Sequence, residues 1–143
     1  MQRYFEDVEL GDDVGPMETT ISTEQVLRFT RIWGQSDRPS RFNSAEQAKS
    51  EGLDGAVVPG VMHMGYVSRL VTEWSEGVTL KHLDVIWRQF VPHNAPLKLH
   101  GIITDTREED GEGVLEADVY MDSAEGARHV TGKAVFSLPM RGS

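Results

Sequence analysis

The chain changes periodicity once, after a single apolar helix, and does not change back. Residues 59–74, PGVMHMGYVSRLVTEW, carry no helix breaker after Gly65 and are apolar around most of the helical circumference. That pattern belongs to a helix buried by its surroundings. Downstream, residues 78–90, 97–106, 113–122 and 128–138 are rich in β-branched and apolar side chains. Turn clusters separate them at PHNAP (92–96), EDGEG (109–113) and DSAEG (122–126), as expected of consecutive strands. Four long strands after one such helix predict an antiparallel sheet wrapped around a central helix, an α+β layer arrangement.

Upstream, residues 4–15 mix aromatic, acidic and glycine residues and read as an extended arm ending in a turn, with a short strand over 16–22. Thr23 reads as the N-cap of a first helix, in which Val26, Leu27, Phe29, Ile32 and Trp33 recur near helical spacing until Gly34 ends the pattern. Ser44 with Gln47 three residues on is a capping-box signature for a second, short helix ending near Gly52. Residues 53–58 read as a loop, and the last four residues, MRGS, as a loose tail.

One domain, residues 1–143, accounts for the length, and 38% hydrophobic content is ordinary for a soluble fold. A core of this size holds without crosslinks. The absence of cysteine excludes a thiol nucleophile, a cysteine-based zinc site and a disulfide framework. A net charge of −9 argues against nucleic acid or an anionic membrane as main partner, since both require a basic face. The opening MQRYFEDVELGDD has no signal-like apolar run, and no segment approaches the roughly 20 apolar residues of a membrane span. A cytoplasmic location is therefore expected.

The segment WGQSDRPSRFNSAEQAKSEGLDGAVVPGVMHM (33–64) resembles the active-site segment of MaoC-like (R)-specific enoyl-CoA hydratases and dehydratases. In that family Asp-x-Asn-Pro-x-His precedes a short helix, a loop and a Pro/His-Gly-Met helix start. The opening YFEDVELGD and the closing GKAVFSLP are similar to the family's usual first segment and last strand. The resemblance implies a hot-dog fold over nearly the whole chain. Two registers are open. Aligning Pro39 with the family proline puts Ser36 and Arg41 in the aspartate and histidine slots. Aligning Asp37 with the aspartate puts Phe42 in the histidine slot, and it places Ser44 at the helix cap and Pro59-Gly60 at the long-helix start without a gap, so it is preferred. In both registers the Asp/His pair is incomplete.

Hydration of a trans-2-enoyl thioester needs a base to activate water, an acid to protonate C2, and donors for charge on the thioester oxygen. The resemblance implies that the Asp/His pair handles the water and that backbone N–H groups at the long-helix start, here Gly60 and Val61, bind the oxygen. Unpaired N–H groups at a helix start suit negative charge. An aspartate with an ordinary pKa of about 3.9 needs desolvation to become a strong base, and Phe42 cannot move a proton. Asp37 and His63, one turn inside the long helix, are the candidate catalytic residues. For His63 the competing role is a hydrogen-bonded core or interface residue; for Asp37, a turn cap ahead of Pro39. His82, His93, His100 and His129 are expected at the surface and show no metal-ligand spacing, so no metal is expected. Arg38, Arg41, Arg88 and Lys133 are candidates for a coenzyme A phosphate, because guanidinium binds phosphate bidentately. Phe42, Met62, Met64, Tyr66 and Val67 are candidate linings of an acyl site, with plain core packing as the alternative.

Three functions follow. The first is a hydratase or dehydratase acting on an acyl-CoA thioester, needing no cofactor beyond the coenzyme A of its substrate, with catalysis altered by Phe42. The second is a noncatalytic acyl-CoA-binding subunit whose partner supplies the Asp/His pair, and the third a hot-dog thioesterase. An uncovered sheet edge predicts a homodimer or larger even oligomer, or a heteromer with a second MaoC-like chain.

Overall fold

A computed structural model describes residues 2–34 and 37–142. After a one-turn 3₁₀ helix at Phe5–Asp7, the chain forms β1 (Asp13–Thr20), α1 (Thr23–Ile32), α2 (Ala45–Ser50) and α3 (Gly60–Thr72). Four strands then follow without interruption: β2 (Thr79–Trp87), β3 (Pro96–Glu109), β4 (Glu112–Ser123) and β5 (Arg128–Leu138). All pair antiparallel in one sheet ordered β1-β3-β4-β5-β2, with β1 and β2 at the edges. The predicted α+β arrangement is therefore present, with one strand more than the four downstream runs, because residues 13–20 join the sheet beside β3.

The β3–β4 hairpin turns on Asp110 and Gly111, both with positive φ (53° and 79°). An Asp-Gly pair tolerates this conformation, and its twist matches that of the flanking strands. It sets the register Glu109↔Glu112, which runs to Leu97↔Ser123 across one bulge. Alternation along β4 then sends Leu115, Ala117, Val119 and Met121 inward, all fully buried. Against this concave face lies α3, which touches all five strands.

The helix is more amphipathic than its composition suggests. His63, Val67, Leu70 and Val71 are buried on one face, whereas Val61, Gly65 and Arg69 are exposed. The sheet wraps only part of the helix, so its apolar residues do not all enter the core.

Capping also departs from the sequence pattern. Ser22, not Thr23, caps α1, and the reciprocal box forms there: Ser22 Oγ accepts from Gln25 N (3.1 Å) and Gln25 Oε1 accepts from Ser22 N (2.8 Å). At α2 only half of the expected box is made. Ser44 Oγ accepts from Gln47 N (3.1 Å), but the Gln47 amide turns to Glu51 (3.0 Å). The C-terminal residues expected as a loose tail are tied down. Arg141 pairs with Asp7 at 2.7 Å and lies over the Tyr4 ring, while Pro139 O, just before that tail, accepts from Phe5 N. Ser143, also assigned to that tail, lies outside the described residues.

Candidate functional site

Three segments far apart in sequence converge on the N-terminus of α3. Val57 N donates to Arg41 O (2.9 Å) and Val58 N to Val91 O (2.8 Å), which fixes the loop before the helix against both neighbours. His93 locks the same loop, with one ring nitrogen on Val57 O and the other on Thr23 Oγ1, each at 3.1 Å. The third segment follows β2, where Arg88 N and Gln89 N both donate to His129 O (2.7 and 3.3 Å).

Between them lies a cavity of about 270 Å³, lined by Phe42, Val58, Gly60, His63, Trp87, Arg88, Gln89 and Phe90. An engineered cavity of about 150 Å³ takes benzene, so this space suffices for a small acyl group. Its walls are mostly aromatic and aliphatic. Phe42 is half-buried, packs on the core and stacks obliquely on Trp33 with ring centres 6.3 Å apart. Its backbone N donates to Ser40 Oγ (3.2 Å), and Asn43 Oδ1 accepts from Ser40 N (2.8 Å), a local turn that aims the ring inward.

The helix start supplies the polar side. Gly60 and Val61 have no carbonyl four residues back within α3, whereas Met62 N is taken by Pro59 O (3.0 Å). Gly60 is needed for a reason the sequence did not show. A Cβ there would sit 2.9 Å from the Trp87 indole, whose Nε1 donates to Gly60 O (3.1 Å). A side chain, rather than only a ligand, makes the close approach.

His63 forms the floor. It is 3% exposed, and neither ring nitrogen has a hydrogen-bond partner among the described residues. Burial, and secondarily the nearby His129, pushes its pKa down to about 4, so the ring is neutral at physiological pH. A neutral imidazole offers one donor and one acceptor.

The other candidates are placed elsewhere. Asp37 is exposed in a shallow depression with Leu27, Thr30, Arg31, Arg38, Pro39, Asn43 and Ser44. It does not share a wall with Phe42 and His63, so the fold does not assemble it with them as a pair. Ser36, the aspartate slot of the alternative register, lies outside the described residues. Arg41 pairs with Glu51 (2.7 Å) and lies over the Phe90 ring, 5.8 Å from its centre, and does not line the cavity. Arg38 lies beside Asp37, and its carbonyl accepts from Asn43 Nδ2 (3.1 Å). Arg88 is at the rim, its Nε donating to Thr131 Oγ1 (3.3 Å). Lys133 is exposed on β5, away from these walls. Val61 is 49% exposed, Met62 and Tyr66 pack on the core, Met64 is half-buried, and Val67 is core. None of these five lines the cavity.

The expectation of surface histidines holds for His82 but fails for His129, which is 5% exposed. It fails in part for His93 and His100, which are half-buried in hydrogen bonds. Trp87, Gln89 and Phe90 were missed altogether. They end a strand-like run, and only the pairing of β2 with β5 carries them to the helix start. Among the described residues, no cluster of three His, Cys, Asp or Glu could hold a metal, and no helix is long and apolar enough to cross a membrane.

No protein-family model matches the sequence. No curated protein matches it either. Solved structures do match in fold. The (R)-hydratase from A. caviae involved in PHA biosynthesis superposes with a TM-score of 0.81 at 18% identity, over 94% of this chain and 99% of that one. A MaoC-like dehydratase from Rhodospirillum rubrum gives 0.82 at 14% identity, over 99% of both chains. The C-terminally truncated HadBC (3R-hydroxyacyl-ACP dehydratase) complex from Mycobacterium tuberculosis gives 0.69 at 19% identity, over 90% of this chain and 96% of that one. The chain thus has the hot-dog fold of MaoC-like hydratases and dehydratases.

Proposed function

We propose that this protein is a hydratase or dehydratase acting on a short acyl thioester, with coenzyme A or a carrier protein as the thiol. The observation that carries this reading is the cavity at the start of α3, where a buried imidazole, both nitrogens unpartnered among the described residues, faces an apolar acyl-sized space. The thioester carbonyl would accept from the N–H group of Gly60, where the helix dipole favours an enolate oxygen. His63 would carry the proton transfers that the family's Asp/His pair performs. Arg88, whose described partner is the neutral Thr131 hydroxyl, would meet a phosphate of the thiol carrier at the rim.

The test is loss of the enoyl absorbance of crotonyl-CoA with the purified chain. His63→Gln should lower kcat by about a hundredfold or more, and Asp37→Asn should leave it within about twofold, given the position of that carboxylate. Turnover abolished by Asp37→Asn and unaffected by His63→Gln would overturn this assignment.

Phe42 in the histidine slot favours a second reading, a subunit that binds the acyl group while a related chain catalyses. Here crotonyl-CoA binds without turnover, and activity appears only on adding that chain. Both readings share an even assembly. Ile86, Trp87 and Phe90 are each more than half exposed along and just after the unpaired edge of β2, a surface suited to a second hot-dog chain. Sedimentation of a monomer at micromolar concentration would exclude it.

A further inference from the structure

The aromatic rings of this chain are concentrated away from its core. Among the described residues the buried apolar core is built from valine, leucine, isoleucine, alanine and methionine, and Phe136 is the one aromatic ring in it. By contrast, three of the eight residues lining the cavity at the start of α3 are Phe42, Trp87 and Phe90, in a chain that is 8% aromatic. Core packing does not account for that concentration.

Each of the three rings is held by a contact of its own. Trp33 packs obliquely on Phe42 with ring centres 6.3 Å apart, the Arg41 guanidinium lies 5.8 Å from the centre of the Phe90 ring, and Gly60 O accepts from Trp87 Nε1 (3.1 Å). Phe42 comes from the loop before α2, whereas Trp87 ends β2 and Phe90 follows it. The rings therefore reach the cavity from two separate segments. Among the described residues, none of the three packs on either of the others. Their positions are fixed, and the aromatic surface they turn to the cavity is left for a ligand.

Size and charge select that ligand. A cavity of about 150 Å³ takes benzene, so one phenyl ring fills more than half of the 270 Å³ here and leaves room for a three-carbon arm. A four-carbon acyl chain, smaller than benzene, leaves about half of the space empty. Aromatic walls also attract cations, but no carboxylate lines this cavity and Arg88 does, which disfavours a cation and suits a neutral ring. An alkyl chain long enough to fill the space gives up the freedom of several bonds on binding, whereas an aryl group is already rigid. Each ring-on-ring contact adds between about twofold and tenfold in affinity beyond the area it buries.

We propose that the cavity is an aryl slot, and that the acyl thioester it takes carries a flat aromatic ring on C3. The proposal rests on the acyl-thioester reading, and it holds for the catalytic and the noncatalytic form of that reading, because both must bind the acyl group. With the thioester carbonyl at Gly60 N–H, the substituent on C3 is the part that meets Phe42, Trp87 and Phe90. These three are then the specificity-determining residues.

The test is calorimetry of the full chain with three unreactive saturated probes, 3-phenylpropanoyl-CoA, octanoyl-CoA and butyryl-CoA. The aryl probe should bind at least about tenfold more tightly than butyryl-CoA and at least about threefold more tightly than octanoyl-CoA. Phe42→Leu and Phe90→Leu keep an apolar wall and remove the ring. Each should weaken the aryl probe by between about threefold and tenfold and leave octanoyl-CoA within about 1.5-fold. Octanoyl-CoA binding as tightly as the aryl probe overturns the slot. So do leucine variants that weaken both probes alike. A folded leucine variant whose sedimentation changes while its affinity for the aryl probe does not would assign that ring to a contact between chains, which also overturns the slot. If none of the three CoA probes binds, the acyl-thioester reading falls, and titration with the free acids decides the slot by itself. Binding of 3-phenylpropanoate in preference to octanoate keeps it; the reverse preference, or no binding of either, removes it as well.

Discussion

Replacing His63 with leucine should remove a specific part of the protein's acid sensitivity. Burial lowers the pKa of this ring from the ordinary 6.5 to about 4, so between those values the unfolded chain binds a proton that the folded chain refuses. A group depressed on folding gives its full stability above its unfolded pKa and loses it as the pH falls to the folded one. At about 1.4 kcal/mol per pH unit, the loss is about 2 kcal/mol by pH 5 and about 3 kcal/mol near pH 4. Asp122 and Asp7, both held below the ordinary 3.8, lose their contributions at lower pH. The assay is urea unfolding of parent and His63→Leu at several values between about pH 7.5 and 4.5. The offset at neutral pH reflects packing and the removal of two unpaired nitrogens, about 1–3 kcal/mol in favour of leucine if the side chain fits. The diagnostic quantity is the slope, with the parent losing about 2 kcal/mol more than the variant on acidification to pH 5. Parallel curves, within a few tenths of a kcal/mol, would refute the claim that this ring is buried and neutral.

Gly60→Ala should displace the Trp87 indole, since the added methyl would lie 2.9 Å from the ring and oppose the 3.1 Å bond to Gly60 O. Because the indole can swing outward, the net cost should be only about 1 kcal/mol. A red shift of tryptophan emission and weaker butyryl-CoA binding should accompany it, and unchanged emission would count against the contact. Phe42→Ala should cost about 1–2 kcal/mol in urea unfolding, less than a full core truncation because the ring is half-buried. It should also weaken butyryl-CoA by about tenfold in calorimetry, whereas equal affinity would remove Phe42 from the acyl wall. Asp122 accepts from His100 Nε2 (2.8 Å) and from Arg128 Nε and Nη2 (2.9 and 3.2 Å). Burial works to raise its carboxyl, but the Arg128 and His100 hydrogen bonds outweigh it and keep the pKa low. Asp122→Asn should therefore destabilise by about 1–2 kcal/mol at neutral pH, and the difference should vanish as the pH falls below 3.8 and through the lowered value. A difference persisting in acid would show that packing, not charge, holds this corner.

The fold was legible because periodicity and turn chemistry are local. The strand run over 128–138 coincides with β5, and the Asp110-Gly111 turn sets the β3–β4 register, since both depend on residues adjacent in sequence. The α2 cap was legible at Ser44, whereas the α1 cap lies at Ser22, one residue before the expected Thr23. Ser22 and Ser44 precede similar helix starts, and what decides whether a reciprocal box closes is whether the glutamine has a better partner, as Gln47 has in Glu51. Burial of α3 was overestimated because composition reports how apolar a helix is, not how much of it a five-stranded sheet covers.

The sequence by itself determined an antiparallel sheet on one apolar helix and a glycine at that helix's start. The cavity itself was decided only in three dimensions. Trp87 reaches Gly60, and the His129 carbonyl holds Arg88 and Gln89 on the cavity wall, because β2 pairs with β5 and brings residues some 27 positions from Gly60 to that helix end. Asp37 and Phe42, five positions apart in sequence, part company because the intervening turn at Ser40 aims one outward and the other in. Spacing along a chain constrains neighbours on a regular element, and in an irregular loop it constrains almost nothing.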